Sequence, residues 1–140
     1  MTIVEQVLAR VEVVIAAAGI ATTERENKGP IPAQSLPMVQ VKRGSIDYDA
    51  LGAGVLRHQI GIRIDLIAAH SNRETALDDL HARVHAALMA DPTLNNLVAG
   101  LRPASADEPE AMEGDPPVSR MTVRYQATTA TRMGNLSVRA

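Results

Sequence analysis

The sequence predicts an α+β fold, a mostly antiparallel β-sheet with two α-helices packed on one face. Three observations carry this. Segments 2–18 and 71–91 repeat apolar residues at helical spacing, whereas 38–43, 56–70 and 118–129 alternate apolar with polar residues. The helices are separated by consecutive strands and do not alternate with them one by one, which favours a layered antiparallel sheet over a doubly wound parallel one. The chain of 140 residues fits one domain, long enough to bury roughly two thirds of its unfolded surface.

Each element has its own signal. In the first helix Ile3, Val4, Val7, Leu8, Val11, Val14, Ile15 and Ala18 form an apolar stripe, Thr2 and Glu5 form a capping box, and Gly19 supplies the stop. Residues 20–37 are dense in Gly, Pro and polar side chains and read as a surface loop. A strand over 38–43 leads into 43–55, which reads as a turn-rich connection, a flexible loop or a short extra strand. Residues 56–70 carry the cleanest strand signal. Leu56, Ile60, Ile62, Ile64, Leu66 and Ala68 fall on one face and Arg57, Gln59, Gly61, Arg63 and Asp65 on the other, so a slip of one residue would bury charge.

The second helix opens on a capping box, Ser71 with Glu74, and buries Leu77, Leu80, Val84 and Leu88. Asp91-Pro92 stops it, because the residue before proline is pushed out of the helical region and proline offers no backbone donor. One further turn and a strand over 98–103 are expected next, then an acidic loop over 104–117. The last strand sets Met121, Val123, Tyr125 and Ala127 against Arg120, Thr122, Arg124 and Gln126, and 131–140 reads as a C-terminal tail.

Composition narrows the chemistry. With no cysteine there is no disulfide framework, thiolate metal site or cysteine nucleophile, which suits a reducing cytoplasm. The first residues lack a basic leader before an apolar core, and no apolar run approaches the roughly 20 residues that span a bilayer, so no membrane partner is expected. A net charge of −2 argues against a nucleic-acid coat, and two tyrosines as the whole aromatic content argue against a base-stacking platform. Charge is segregated along the chain. Asp107, Glu108, Glu110, Glu113 and Asp115 precede Pro117, and Arg120, Arg124, Arg132 and Arg139 follow it, which suits complementarity between neighbouring copies or with a partner and reads equally as a solvated loop.

No catalytic constellation emerges, and the expectation is a non-enzyme without cofactors. Asp78, His81 and His85 share a helix face but lack a fourth ligand at recognisable spacing. His58 interrupts an apolar face and suits a hydrogen-bonded, partly buried role. Asp78 and Asp79 are adjacent on a helix and point apart, Asp47 and Asp49 around Tyr48 lack an EF-hand pattern, and Gly52 and Gly54 lack a phosphate-loop context.

The strand GIRIDLIAAH, the run ALDDLHARVHAALMADPTLNNLVAGLRP, the acidic loop and the closing strand MTVRYQATT resemble the tail terminator (tail completion) proteins of long-tailed bacteriophages, lambda-like and Mu-like relatives included. The matching positions are Ala90, Asp91, Pro92, Thr93, Leu94, Leu97, Val98 and Tyr125, within a likeness over residues 56–130. The resemblance implies a homohexameric ring at the head-proximal end of the tail tube. Such a ring stops polymerisation of the major tail protein, offers a docking surface to the neck or connector proteins, and passes DNA through its lumen. It also implies a place in the virion tail, with assembly in the host cytoplasm. Contact residues expected on this basis are the acidic segment Asp107, Glu108, Glu110, Glu113 and Asp115, the polar sheet face with Arg57, Arg63, Asp65, Arg120 and Arg124, and Asp47 and Tyr48 in the 43–55 loop.

Overall fold

A computed structural model describes residues 1–25, 35–69, 73–112 and 117–140. Its elements run α1 (Ile3–Ala17), β1 (Thr22–Arg25), β2 (Met38–Gly52), β3 (Val55–Ala69), α2 (Arg73–Met89), β4 (Gly100–Ala106), β5 (Glu110–Met112), β6 (Val118–Arg132) and β7 (Asn135–Arg139). One sheet holds all the strands in the order β1-β2-β3-β6-β4, with β5 and β7 also pairing to β6. Every pairing is antiparallel except that of β1 with β2. The predicted α+β class and the two helices on one face are therefore observed.

The core forms where the helical stripes meet the apolar sheet face. From α1 it takes Ile3, Val4, Val7, Leu8, Val11 and Ile15, from α2 Leu77, Leu80, Val84 and Leu88, and from the sheet Val39, Val41, Ile60, Ile62, Ile64, Leu66, Val123, Tyr125 and Ala127. Thr2 caps α1 as expected, its hydroxyl accepting the Glu5 N–H at 3.3 Å, and Gly19 leaves the helix at φ +65°. Residues 26–34, within the predicted 20–37 loop, and Ser71 of the second capping box lie outside the described residues.

Four segments expected to be loop or tail are strand in whole or in part. Within the expected 20–37 loop, Thr22–Arg25 form β1, held by parallel pairing to Met38–Val41 of β2, a support that local composition does not announce. Residues 43–55 belong to a long hairpin, in which β2 continues to Gly52 and β3 starts at Val55. Asp, Ser and Gly depress β-propensity there, but Ile46 and Tyr48 still alternate with Asp47 and Asp49, and the regular β3 beside them supplies pairing that propensity does not. A bulge between Arg43 and Ile46 makes this possible. Gly44 and Gly61 approach so closely that a Cβ on Gly61 would lie 2.8 Å from the Ser45 carbonyl oxygen, and one on Gly44 would lie 2.9 Å from the Gly61 backbone. Within 104–117, β4 runs on to Ala106 and β5 pairs Glu110 with Arg120. The supposed tail 131–140 is the end of β6 and β7, joined through Met133-Gly134, with the Met133 N–H donating to the Gly54 carbonyl at 2.7 Å so that two hairpin tips meet.

The Asp91-Pro92 stop is a corner built from backbone of unusual hand. Leu94, Asn95 and Asn96 all have positive φ (48°, 56° and 66°), so the extra turn expected here is left-handed. Asp91 holds it. One carboxylate oxygen accepts the Asn95 N–H at 3.1 Å, the other accepts Arg10 of α1 at 3.1 Å, and the Thr93 hydroxyl accepts the Asn96 N–H at 3.4 Å. The inversion drives Leu94 and Val98 wholly into the core and aims the chain into β4.

Candidate functional site

With the helices covering one face, the opposite face is left to charge. In antiparallel register Lys42 of β2 lies beside Arg63 of β3, which lies beside Arg124 of β6, and the next row holds Gln40, Asp65 and Thr122. The five face residues expected from the sequence, Arg57, Arg63, Asp65, Arg120 and Arg124, do share this surface. It is not polar throughout, because Met38, Ile67 and Val118 form a second small apolar cluster at one end. The period-two reading stopped at Asp65 and so missed Ile67.

Asp65 is the hub of the face. Its side chain is fully buried, yet its oxygens accept Lys42 at 2.7 Å, the Thr122 hydroxyl at 2.8 Å and Arg63 at 3.1 Å, with Arg120 at 4.0 Å. Burial alone pushes its pKa up. The hydrogen bonds from Lys42, Thr122 and Arg63, together with the Lys42 charge, outweigh that and hold the carboxyl below its ordinary range. Lys42 was not among the sequence candidates. Its signal was the alternation of 38–43, which places it opposite Arg63.

The segregated charges meet within the chain. Asp107 accepts Arg124 at 2.7 Å, and that hydrogen bond, acting against a small desolvation, draws the Asp107 pKa down and the Arg124 pKa up. Glu110 accepts Arg120 across the β5–β6 pair. Glu108 is exposed on the rim of a groove of about 910 Å³ that it shares with Asp78, Asp79 and Met121. Glu113 and Asp115 lie outside the described residues. In the hairpin Asp49 accepts Arg57, Tyr48 is half exposed and meets His58 edge-on at 5.0 Å, and Asp47 has no hydrogen-bond or ion-pair partner among the described residues.

Arg102, which sequence reasoning passed over, differs from its neighbours. Arg57, Arg63, Arg120 and Arg124 each have a carboxylate within 4.0 Å. Arg102 instead donates Nε at 2.9 Å and also Nη2 to Gln126 Oε1, while Gln126 donates to Gln59 at 2.9 Å. Two neutral amides therefore orient the guanidinium without neutralising it. It flanks, with Arg57, a depression of about 410 Å³ floored by Gly100, Gln59 and Thr128.

The three histidines among the described residues lie on the helix side of the sheet or on α2. His58 is buried, its Nε2 2.8 Å from the Thr131 hydroxyl, and desolvation lowers its pKa. His85 Nδ1 lies 2.7 Å from the Tyr125 hydroxyl, and burial pushes that phenol up to about 12, so it stays protonated. His81 meets His85 edge-on at 6.4 Å, and burial, then the His85 charge, lower its pKa against the opposing pull of Asp78. Among the described residues no three His, Asp or Glu side chains are grouped to hold a metal ion. No helix among them is long and apolar enough to cross a membrane.

No family model and no curated protein matches the sequence. Solved structures similar to it include the following two. One is a chain of the virion of a native gene transfer agent particle, 18% identical, covering 91% of this chain and 92% of that one with a TM-score of 0.46. The other, whose name states no function, is 16% identical and covers 85% of this chain and 88% of that one with a TM-score of 0.47.

Proposed function

We propose that this protein is a non-enzymatic structural component of a phage-type virion and, more finely, a tail terminator. Six copies would form a ring on the head-proximal end of the tail tube, stop further addition of the major tail tube protein, and present a surface to the neck or connector protein, with DNA crossing the lumen. The observation that carries the reading is the likeness of residues 56–130 to that family, with Asp91-Pro92 and Tyr125 at its matching positions. The geometry supports it by giving those positions architectural work. Asp91 pins a left-handed corner to α1, and Tyr125 ties the centre of β6 to α2 through His85. Polar groups of the kinds catalysis uses are occupied in the same way, with His58 bonded to Thr131 and Asp65 buried under three cations.

The test is deletion of the gene in its phage. Filled heads without joined tails, together with free tubes of abnormal length, are the expected result. Free tails of normal length that fail to join heads would move the assignment to a neck adaptor, and normal virions would end the structural reading.

A further inference from the structure

We infer that copies of this chain join side by side through the two opposite edges of the sheet, β2 of one copy against β4 of the next, with Asp47 meeting Arg102 across the junction. The inference deepens the ring reading and rests on it for the number of copies, while the contact itself is argued from the edges.

At the level of Asp47 the sheet is four strands wide. Asp47 pairs with Gln59, Gln59 with Thr128, and Thr128 with Gly100. The outer strands there are β2 and β4, and each is open over the same stretch. β1 covers β2 only as far as Val41, and no described strand lies outside residues 46–50. On the other side β4 is open at Gly100–Arg102. Beyond that, Pro103 removes a donor and a bulge between Pro103 and Ser105 breaks the ladder, two devices that blunt a strand edge. Strand direction fits as well. β2, β3, β6 and β4 alternate, so β4 of one copy beside β2 of the next continues an antiparallel ladder without a fault.

Charge selects this arrangement over its rivals. Asp47 and Arg102 are both exposed and both project from the face away from the helices, and each lacks an oppositely charged partner among the described residues, unlike Asp49, Arg57, Arg63, Asp107, Glu110, Arg120 and Arg124. Pairing β2 with β2 about a two-fold axis would set Asp47 and Asp49 against their own copies, and pairing β4 with β4 would oppose two Arg102 guanidinia. Joining unlike edges relieves both clashes. An interface of this heterologous kind propagates, and the curl of the sheet decides whether it closes as a ring.

Within one chain the two edges are three strand spacings apart, about 14 Å, too far for a zero-length cross-link. Arg102→Lys keeps the cation and supplies an amine, so carbodiimide treatment should couple Asp47 to Lys at position 102 between chains, as read by peptide mass spectrometry. In light scattering over a concentration series, Asp47→Arg and Arg102→Glu should each raise the half-assembly concentration about tenfold, and the double reversal should restore it. Thermal melts of the same variants confirm that the exposed substitutions leave the fold intact. Assembly that ignores both reversals, a wild-type protein that stays monomeric, or an Arg102→Lys protein that gives no coupled peptide overturns the contact. The terminator reading is judged separately by tail length in the deletion, so a ring held by another surface would sink the contact alone.

Discussion

Replacing Asp65 by asparagine tests how the polar sheet face is held. The substitution keeps shape and removes charge, leaving Lys42, Arg63 and Arg120 around an amide whose NH2 points at donors. Breaking a buried ion pair from one side costs about 3–5 kcal/mol. Here the Lys42 and Arg63 side chains are 22% and 38% exposed, so water takes over part of their solvation and about 2–3 kcal/mol is the reasoned loss. In a domain of this size that lowers Tm by about 6–12 °C. Urea denaturation of the wild type and Asp65→Asn across pH gives a second reading. The folded pKa of Asp65 is depressed, so its contribution is fully present above the unfolded value near 3.9 and is lost as pH falls through the lower folded value. The stability gap should therefore be constant above about pH 5 and narrow progressively as pH falls below the unfolded value. A gap under about 0.5 kcal/mol at pH 7, or one that persists unchanged in acid, would refute the argument that Asp65 is the ionised hub.

Two further substitutions, with Gly100→Ala as a control, address the hairpin and the corner. Gly61→Ala places a methyl 2.8 Å from the Ser45 carbonyl oxygen and 3.2 Å from the Ser45 nitrogen, backbone atoms that cannot swing aside, and should cost about 1–3 kcal/mol in chemical denaturation, whereas Gly100→Ala, with no atom within 4 Å of the added Cβ, should change stability far less. Asp91→Ala removes both the acceptor of the Asn95 N–H and the partner of Arg10, and should lose about 1–2 kcal/mol, with hydrogen exchange rising at Asn95 in preference to the centre of β6.

What the sequence disclosed and what it withheld divide along a physical line. α1, α2, β3 and β6 were legible because each buries one face against a solvated or polar one, so composition and period agree. The distal half of β2 was not, because Asp47, Asp49 and three nearby glycines speak for a turn while the strand is imposed by its neighbour and by the close Gly44–Gly61 contact. The start of β4 was expected at 98–103, but the same limit applied to its continuation past Pro103 and to β1, β5 and β7, short edge strands that rest on pairing to β2 or β6. Among the candidate contact residues, period two placed Arg57, Arg63, Asp65, Arg120 and Arg124 on one face. It carried no information about which of them would be neutralised within the chain, because partners such as Asp107 and Arg124 are brought together only by the register of β4 on β6. Arg102 went unremarked for the same reason, its distinction being a neutral partner.

That distinction bears on how a nearly neutral protein could recognise its own copies. On the exposed sheet face most charges are spent in cis, and pairs half open to water are worth little individually and less as salt rises. A surface whose charges are already matched repels wrong registers weakly and attracts right ones weakly. One acid and one base at opposite edges, at nearly the same height in the sheet and with no opposite charge beside either among the described residues, break that indifference. The ladder hydrogen bonds of an open edge accept any register at two-residue intervals, whereas a single charge pair prefers one. On this reasoning salt should loosen the choice of register before it dissolves the assembly. Raising ionic strength from about 0.05 to 0.5 M shortens the screening length from roughly 14 to 4 Å. The Arg102→Lys protein should then lose most of its coupled Asp47 peptide while its particle mass persists, and a simultaneous fall of both would mean that the ion pair, and not the backbone ladder, holds the copies together.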